Sequence, residues 1–427
     1  MTLGSINILR SAGVQDEYLI GNPQMTFFKS VYRKHTNFSS DWIDIESKDI
    51  TDFGKKLKFT IPREKGDMLN DLVLRIVVPK LKTNNNNHSV TWIENVGHAI
   101  IDYVELKIGN NTIDKHYGDF MEIHKQLNNS KDKKIAYDTM LGNTSILRYI
   151  TTETNAYVLL IPLLFWFCKD IGLSLPLVAL GSHDVEIYVK LKKLEDLIWK
   201  RDNTNINSNS AVNIELTDNL KSNLIGKFYK LDELERKRFK TITHRYLIEQ
   251  TQVKGPEQIN GNIINMNLNF NLPVKELIWF GIKKKFTEST YRLNSYSSED
   301  YNMPFNFTSS SYSSEGYNMF KSFGMNINGL EYFSNVEPQI FNIYYPYRYH
   351  QKLPETGVYI YSFSEKPNEY QPSGSCNFSR LDTNSTKLII EKNDATNDPI
   401  LFKIYAINYN ILEINGRLGQ ASLTYFN

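Results

Sequence analysis

The chain has 427 residues, 41% of them hydrophobic and 13% aromatic, with 26 Tyr and 23 Phe. That is enough for two domains of about 200 residues, each with its own core, and it excludes wholesale disorder. A net charge of +2 excludes broad electrostatic capture of nucleic acid or anionic membrane, and the two cysteines, Cys168 and Cys376, exclude a secreted disulfide scaffold.

In chain order, the opening MTLGSINILRSAG has neither a basic start before an apolar stretch nor an Arg-rich amphipathic pattern, so no export signal is expected. Asn22–Tyr32 follows an Asn-Pro start signal and is expected to be helical. Leu57-Lys58-Phe59-Thr60-Ile61-Pro62 alternates with a period of two, the mark of a strand with one buried face, and its Pro ends the run. Leu72–Val78 follows as a second apolar strand. Tyr117–Leu127 places Phe120, Ile123 and Leu127 at three-to-four spacing and predicts a helix. The longest apolar run, Ala156–Cys168, falls short of the ~20 residues a membrane helix needs and is interrupted by Pro162. A buried central strand is expected there, with Phe165-Trp166-Phe167 as an aromatic strand and His183–Leu191 as a long alternating one.

Lys200–Asn223 is rich in Asn, Asp and Ser and reads as a linker, which places a domain boundary near residue 225. Lys230–Lys240 is charged and suits a short helix. The earlier pattern then returns. Leu268-Asn269-Phe270-Asn271-Leu272-Pro273 echoes residues 57–62, Glu276–Ile282 echoes Leu72–Val78, and Tyr361-Ser362-Phe363 and Leu401–Ile414 echo the later strands. A repeat of about 200 residues made of short strands and turns predicts two similar β-sandwich domains; chance matching of short alternating patterns is the alternative. One stretch breaks this economy. Phe286–Phe333 is polar, and Ser295–Met303 is duplicated as Ser311–Met319 with one position changed. A long insertion loop is expected, with Tyr296, Tyr301, Tyr312 and Tyr317 as candidate contacts, since Tyr and Ser give adaptable contact area; a local duplication tolerated in a solvated loop is the alternative.

The chemistry-bearing patterns are absent. Eight His are scattered without metal-ligand spacing, and no phosphate-binding Gly-rich loop or serine-nucleophile elbow occurs. His183-Asp184 reads as a turn pair, and the basic runs Lys131–Lys134 and Lys283–Lys285 as solvated turns. No catalytic, cofactor or metal site is expected. The sequons at Asn37, Asn306, Asn377 and Asn384 carry glycans only on a secretory route.

Gly21–Lys29 (GNPQMTFFK) with Tyr32–Phe38 (YRKHTNF), Phe165–Cys168 (FWFC) with Gly172–Leu180 (GLSLPLVAL), Arg238-Phe239 with Tyr246–Gln250 (YLIEQ), Leu268–Trp279 and Gln371–Arg380 occur in this order. Together they resemble the major capsid proteins of the nucleocytoplasmic large DNA viruses. Leu272, the C-terminal segment Leu418–Asn427 and the Tyr/Ser duplication depart from that pattern. The resemblance implies two tandem eight-stranded antiparallel jelly-roll barrels with short helices in the connections. It divides the chain into an arm over 1–37, a first barrel over 38–225 and a second over 226–427. It further implies a homotrimer, pseudo-hexagonal capsomers tiling an icosahedral shell, minor capsid proteins and an underlying membrane layer as partners, and assembly in the host cytoplasm. The arm is expected at the inner face, with Phe27, Phe28, Tyr32 and Arg33 as candidate contacts. A double-barrel scaffold absent from the finished particle, and a carbohydrate-binding or enzymatic β-sandwich, are the alternatives.

Overall fold

Period-two alternation is realised as paired sheets. The structure, a computed structural model, describes residues 3–148, 151–202, 212–287, 305–308, 318–393 and 399–425. Met1–Asn37 forms one unit and Phe38–Asn427 another.

The arm holds helices α1 (Leu3–Arg10) and α2 (Glu17–Ile20), and none of its described residues is buried. Gly21 closes α2 by donating its N–H to Glu17 O at 2.9 Å. The helix expected over Asn22–Tyr32 does not form. Asn22 takes a left-handed φ of 49°. β-Branched Thr26 and Val31 and the aromatic pair Phe27-Phe28 lose side-chain freedom in a helix and have no apolar face within the arm to repay it.

The first barrel pairs β1 (Phe38–Glu46), β2 (Lys56–Thr60), β3 (Met68–Val78), β4 (Ile101–Ile108), β5 (Asn111–Tyr117), β6 (Tyr157–Pro162), β7 (Val185–Leu191) and β8 (Lys221–Leu231) in two antiparallel sheets. Their orders are β1-β8-β3-β6 and β2-β7-β4-β5. Helix α3 (Gly118–Asn128) leaves β5 directly, where the three-to-four spacing predicts it. Alternation is clean in β7, where Val185, Ile187, Val189 and Leu191 are buried and the residues between them are not. Two strand expectations change. The Ala156–Cys168 run supplies β6, an edge strand rather than a central one, and its Pro162 lies at the end of that edge, where no ladder N–H is lost. Phe165, Trp166 and Phe167 are not a strand: a 3₁₀ turn over Trp166–Cys168 drives these rings into the core, Trp166 edge-on to Phe167 at 5.0 Å.

Helix α4 (Glu233–Thr241) carries the chain to the second barrel. Residue 225 lies within β8, where Ile225 pairs with Asp44 of β1 and Val73 of β3. The polar residues Ser222 and Asn223, which read as linker, occupy this strand and are half-buried. The second barrel pairs β9 (Thr243–Ile259), β10 (Ile263–Asn267), β11 (Pro273–Lys283), β12 (Phe320–Ile327), β13 (Leu330–Val336), β14 (Val358–Ser362), β15 (Lys387–Lys392) and β16 (Ile400–Asn415). The orders, β9-β16-β11-β14 and β10-β15-β12-β13, reproduce those of the first barrel strand for strand. Each barrel thus has four principal strands in each of two sheets, the double jelly roll.

The echo at Leu268–Pro273 holds for burial but not for pairing. Leu268, Phe270 and Leu272 are buried, yet the ladder stops at Asn267 and Pro273 opens β11 instead of closing a strand. The chain turns at Leu272, whose φ of 67° is held by Ser379 Oγ accepting its N–H at 2.8 Å and by Phe378 N donating to its carbonyl at 3.0 Å. Nor is 286–333 one loop, because β12 and the start of β13 lie inside it. Tyr296, Tyr301, Tyr312 and Tyr317 fall outside the described residues. Between the two duplicated copies, Phe305–Thr308 is buried. Phe307 packs edge-on to Phe280 at 4.7 Å, and its carbonyl lies so close to Gly357 (φ 101°) that no β-carbon fits there. The sequon residue Asn306 accepts from Thr308 Oγ1 at 2.7 Å inside this anchor and is closed to a glycan.

Candidate functional site: the joint between the barrels

A dense polar and apolar region lies where the two barrels meet. It begins with β11, whose LIWFGI run lacks alternation because both faces are covered. Leu277 and Trp279 face the second barrel's own core, while Ile278 and Phe280 face a core continuous with the first barrel. The neighbouring strands divide in the same way: Tyr359, Tyr361 and Ile404 point inward, and Val358, Ile360 and Tyr405 point to the joint. A sheet buried on both faces reads as a continuous apolar run.

Against this face the first barrel sets edge strand β5 and helix α3. Asp119, in the first turn of α3, accepts from Lys403 Nζ at 2.6 Å and from Tyr405 OH at 2.5 Å. Phe120 packs on the Tyr405 ring at 5.1 Å. Burial by itself raises the Asp119 carboxyl; Lys403 and Tyr405 outweigh it and hold the group below its ordinary range. On β5, Asp114 accepts the backbone N–H of Thr251 at 2.9 Å and pairs with His116 at 2.8 Å, while Gln250 donates to the Ile113 carbonyl. Glu249 lies between Lys169 and Lys275; burial opposes its charge, but the two ammonium groups pull its pKa down to about 2. His350 bonds Glu276 at 2.6 Å and Asn128 at 3.3 Å. His124 is neutral at the joint: burial, then Lys169, His116 and His350, lower it to about 3. Every one of these carboxylates is answered by a donor, so the joint is a satisfied polar network around an apolar centre, built to hold rather than to react.

The other chemistry-bearing groups agree. Cys168 and Cys376 are free, and burial raises both thiols, which disfavours the nucleophilic thiolate. Among the described residues no three His, Cys, Asp or Glu side chains converge on a metal position. His183 accepts the N–H of Ala421 at 3.1 Å and Asp184 pairs with Arg63 at 3.1 Å, so this turn pins the C-terminal segment to the first barrel. Of the candidate contact residues, Phe27, Phe28 and Tyr32 are 90%, 99% and 81% exposed within the arm, and Arg33 is exposed beside them. The sequence did not point to Asp119, Lys403, Tyr405 or Glu249. The usable signal was the non-alternating β11 run, which marks a face needing a cover.

A model for the major capsid protein N-terminus matches residues 26–228, and a model for the large eukaryotic DNA virus major capsid protein matches residues 235–419. The major capsid protein of Pyramimonas orientalis virus is 32% identical, covering 99% of this chain and 100% of its own. The chain belongs to this family of major capsid proteins. That of Paramecium bursaria Chlorella virus 1 is likewise 32% identical over 99% of this chain and 100% of its own. A chain of the quasi-atomic PBCV-1 virus capsid superposes with a TM-score of 0.74 at 28% identity, covering 94% of this chain and all of that one. The gap between the two family matches falls at the passage from β8 to α4. This member of the family is a structural subunit of the virion capsid and not an enzyme.

Proposed function

We propose that three copies form a trimer whose six barrels outline a pseudo-hexagonal capsomer, and that these capsomers tile an icosahedral shell. The doubled topology carries this reading: two barrels with one strand order let threefold symmetry take a near-sixfold outline. The arm, with Phe27, Phe28, Tyr32 and Arg33 exposed, serves contacts at the inner side of the shell with neighbouring capsomers, minor capsid proteins or the membrane layer beneath. The Tyr/Ser duplication with Tyr296, Tyr301, Tyr312 and Tyr317 serves contacts at the particle surface or between subunits, and assembly takes place in the host cytoplasm. Native mass measurement of the purified chain is expected to give a trimer, seen end-on as a hexagon in negative stain. A stable monomer would overturn the reading. Removing residues 1–37 is expected to leave the trimer and abolish growth into larger arrays; a truncated chain that still forms arrays would sink the role given to the arm.

A further inference from the structure

The alternation that buries Leu57, Phe59, Ile187 and Val189 sends lysine and tyrosine to the outer face of sheet β2-β7-β4-β5. One row across its four strands reads Lys58, Tyr188, Glu105, Lys115, and the next reads Lys56, Lys190, Tyr103, Tyr117. A third row sets Glu186 and Lys107 between two threonines. Five lysines therefore meet two glutamates on this face. The strand order does not demand such a surface. In the counterpart sheet of the second barrel, β10 and β15 pair Ile263 with Glu391, Asn265 with Ile389 and Asn267 with Lys387.

Rings and carboxylates hold the ammonium groups in place. Lys115 Nζ lies 3.8 Å from the Tyr103 ring centroid and Lys56 Nζ 4.2 Å from that of Tyr188. Lys58 pairs with Glu186 at 2.6 Å, and Glu105 lies 3.6 Å from Lys56 and 3.7 Å from Lys107. The carboxylates are sunk: the Glu105 and Glu186 side chains are 13% and 16% exposed, against 41%, 36% and 28% for Lys56, Lys58 and Lys107. Solvent thus meets a flat positive field, although the whole chain carries only +2. Single-stranded nucleic acid binds such surfaces by stacking bases on open aromatic faces, but Tyr103 and Tyr188 already have an ammonium group over the ring. An extended acidic peptide gains affinity from free main-chain groups at a sheet edge, which the middle of a paired sheet does not offer. What this face offers is a grid of cations with carboxylates between them. An acidic sugar chain uses both, its anionic groups taking the cations and its hydroxyls the carboxylates.

We propose that the outer face of sheet β2-β7-β4-β5 binds an acidic polysaccharide. Lys56, Lys58, Lys107 and Lys115 donate to its sulfate or carboxylate groups, and its hydroxyls donate to Glu105 and Glu186. The site lies wholly within the first barrel, so it stands apart from the trimer reading above.

The test titrates the full-length protein with dextran sulfate by calorimetry at two salt concentrations, with neutral dextran, oligo(dT) and polyglutamate of matched length as comparison ligands. Dextran sulfate is expected to bind, to weaken as salt rises, and to bind at least about tenfold tighter than oligo(dT) or polyglutamate, while neutral dextran does not bind. Lys56→Gln/Lys115→Gln removes two ionic contacts and is expected to lower the affinity for dextran sulfate at least about tenfold. Lys321→Gln/Lys387→Gln removes the same charge from the second barrel and is expected to change it less than about twofold. Circular dichroism and sedimentation check that each variant keeps the wild-type fold and assembly; if the first pair does not fold, Lys58→Gln/Lys107→Gln is read in its place. Absence of dextran sulfate binding, tighter binding of oligo(dT) or polyglutamate, or equal losses in the two variant pairs overturns the proposal.

Discussion

Strands β3 and β11 hold the same place in the two barrels, yet β3 is covered on one face and β11 on both. Along β3, Leu72, Leu74 and Ile76 are buried while Asp71, Val73, Arg75 and Val77 between them are only half-buried. Along β11, Leu277, Ile278, Trp279 and Phe280 are buried in unbroken sequence. The difference lies in what sits outside the sheet: Ile278 and Phe280 of β11 join a core continuous with the first barrel, with Phe307 packed on Phe280, whereas the outer residues of β3 stay half-buried. One topology thus yields an inner joint within the chain and a half-buried outer face on the first barrel, and the strand sequence records which is which.

The sharpest way to break this comparison is to cut one side chain from each outer face. Phe280→Ala removes a ring packed between Phe307 and Tyr405 and is expected to cost about 3–5 kcal/mol of stability. Val73→Ala on the half-buried face is expected to cost no more than about 1 kcal/mol in the dissociated chain. Urea unfolding of both variants, at concentrations too low for assembly, measures the two values. Similar losses would mean that the joint is not the more tightly packed surface.

The sequence made the duplication and the strand alternation legible because burial on one face imposes a period of two wherever it occurs. Leu57 and Phe59 or Val185–Leu191 need no tertiary context to be read. It misjudged places where tertiary packing overrides local pattern. Phe165–Phe167 looks like a strand but turns to fill the core, and Leu268–Leu272 keeps the burial pattern of a strand without its ladder. The Asn22–Tyr32 helix failed for a related reason, since a start signal cannot hold a helix whose apolar residues have nothing in their own unit to pack on. The joint itself was illegible residue by residue. Asp119 and Lys403 are 284 positions apart, and no local pattern announces that they will meet.

A smaller effect separates the joint from the surface within its polar groups. Asp119 and Lys403 are 17% and 11% exposed, so Asp119→Asn leaves a buried ammonium facing a neutral amide and is expected to cost about 2–4 kcal/mol. Lys321 pairs with Glu391 at 2.7 Å but is 66% exposed, and Lys321→Ala is expected to change stability by less than about 1 kcal/mol. Thermal or urea unfolding of the two variants gives both numbers. A larger loss at Lys321 would mean that burial does not rank these pairs.

The two regions also differ in how they respond to acid. At the joint, His124 faces Lys169, His116, His350 and Glu249, and its folded pKa of about 3 lies below the ordinary 6.5. The unfolded chain therefore binds this proton first. The stability His124 confers is complete above about pH 6.5 and is lost as pH falls towards 3, with a slope of at most about 1.4 kcal/mol per pH unit. Glu249, lowered to about 2 from its ordinary 4.5, adds its own loss only below about pH 4.5. On the outer face of the first barrel Asp71 has the opposite sign: burial raises its carboxyl against the pull of Lys227, so acid relieves a cost there instead of adding one. Between about pH 6.5 and 4.5 the acid sensitivity thus belongs to buried imidazoles, His124 in the joint and His98, which burial also lowers, in the first barrel. His124→Gln keeps a neutral polar side chain and is expected to make the fall of the urea midpoint between about pH 7 and pH 5 shallower, while leaving its value near pH 7 within about 1 kcal/mol. Asp71→Asn removes a group of the opposite sign and is expected not to make that slope shallower. An unaltered slope in His124→Gln would show that the joint does not set the acid response of this capsid subunit.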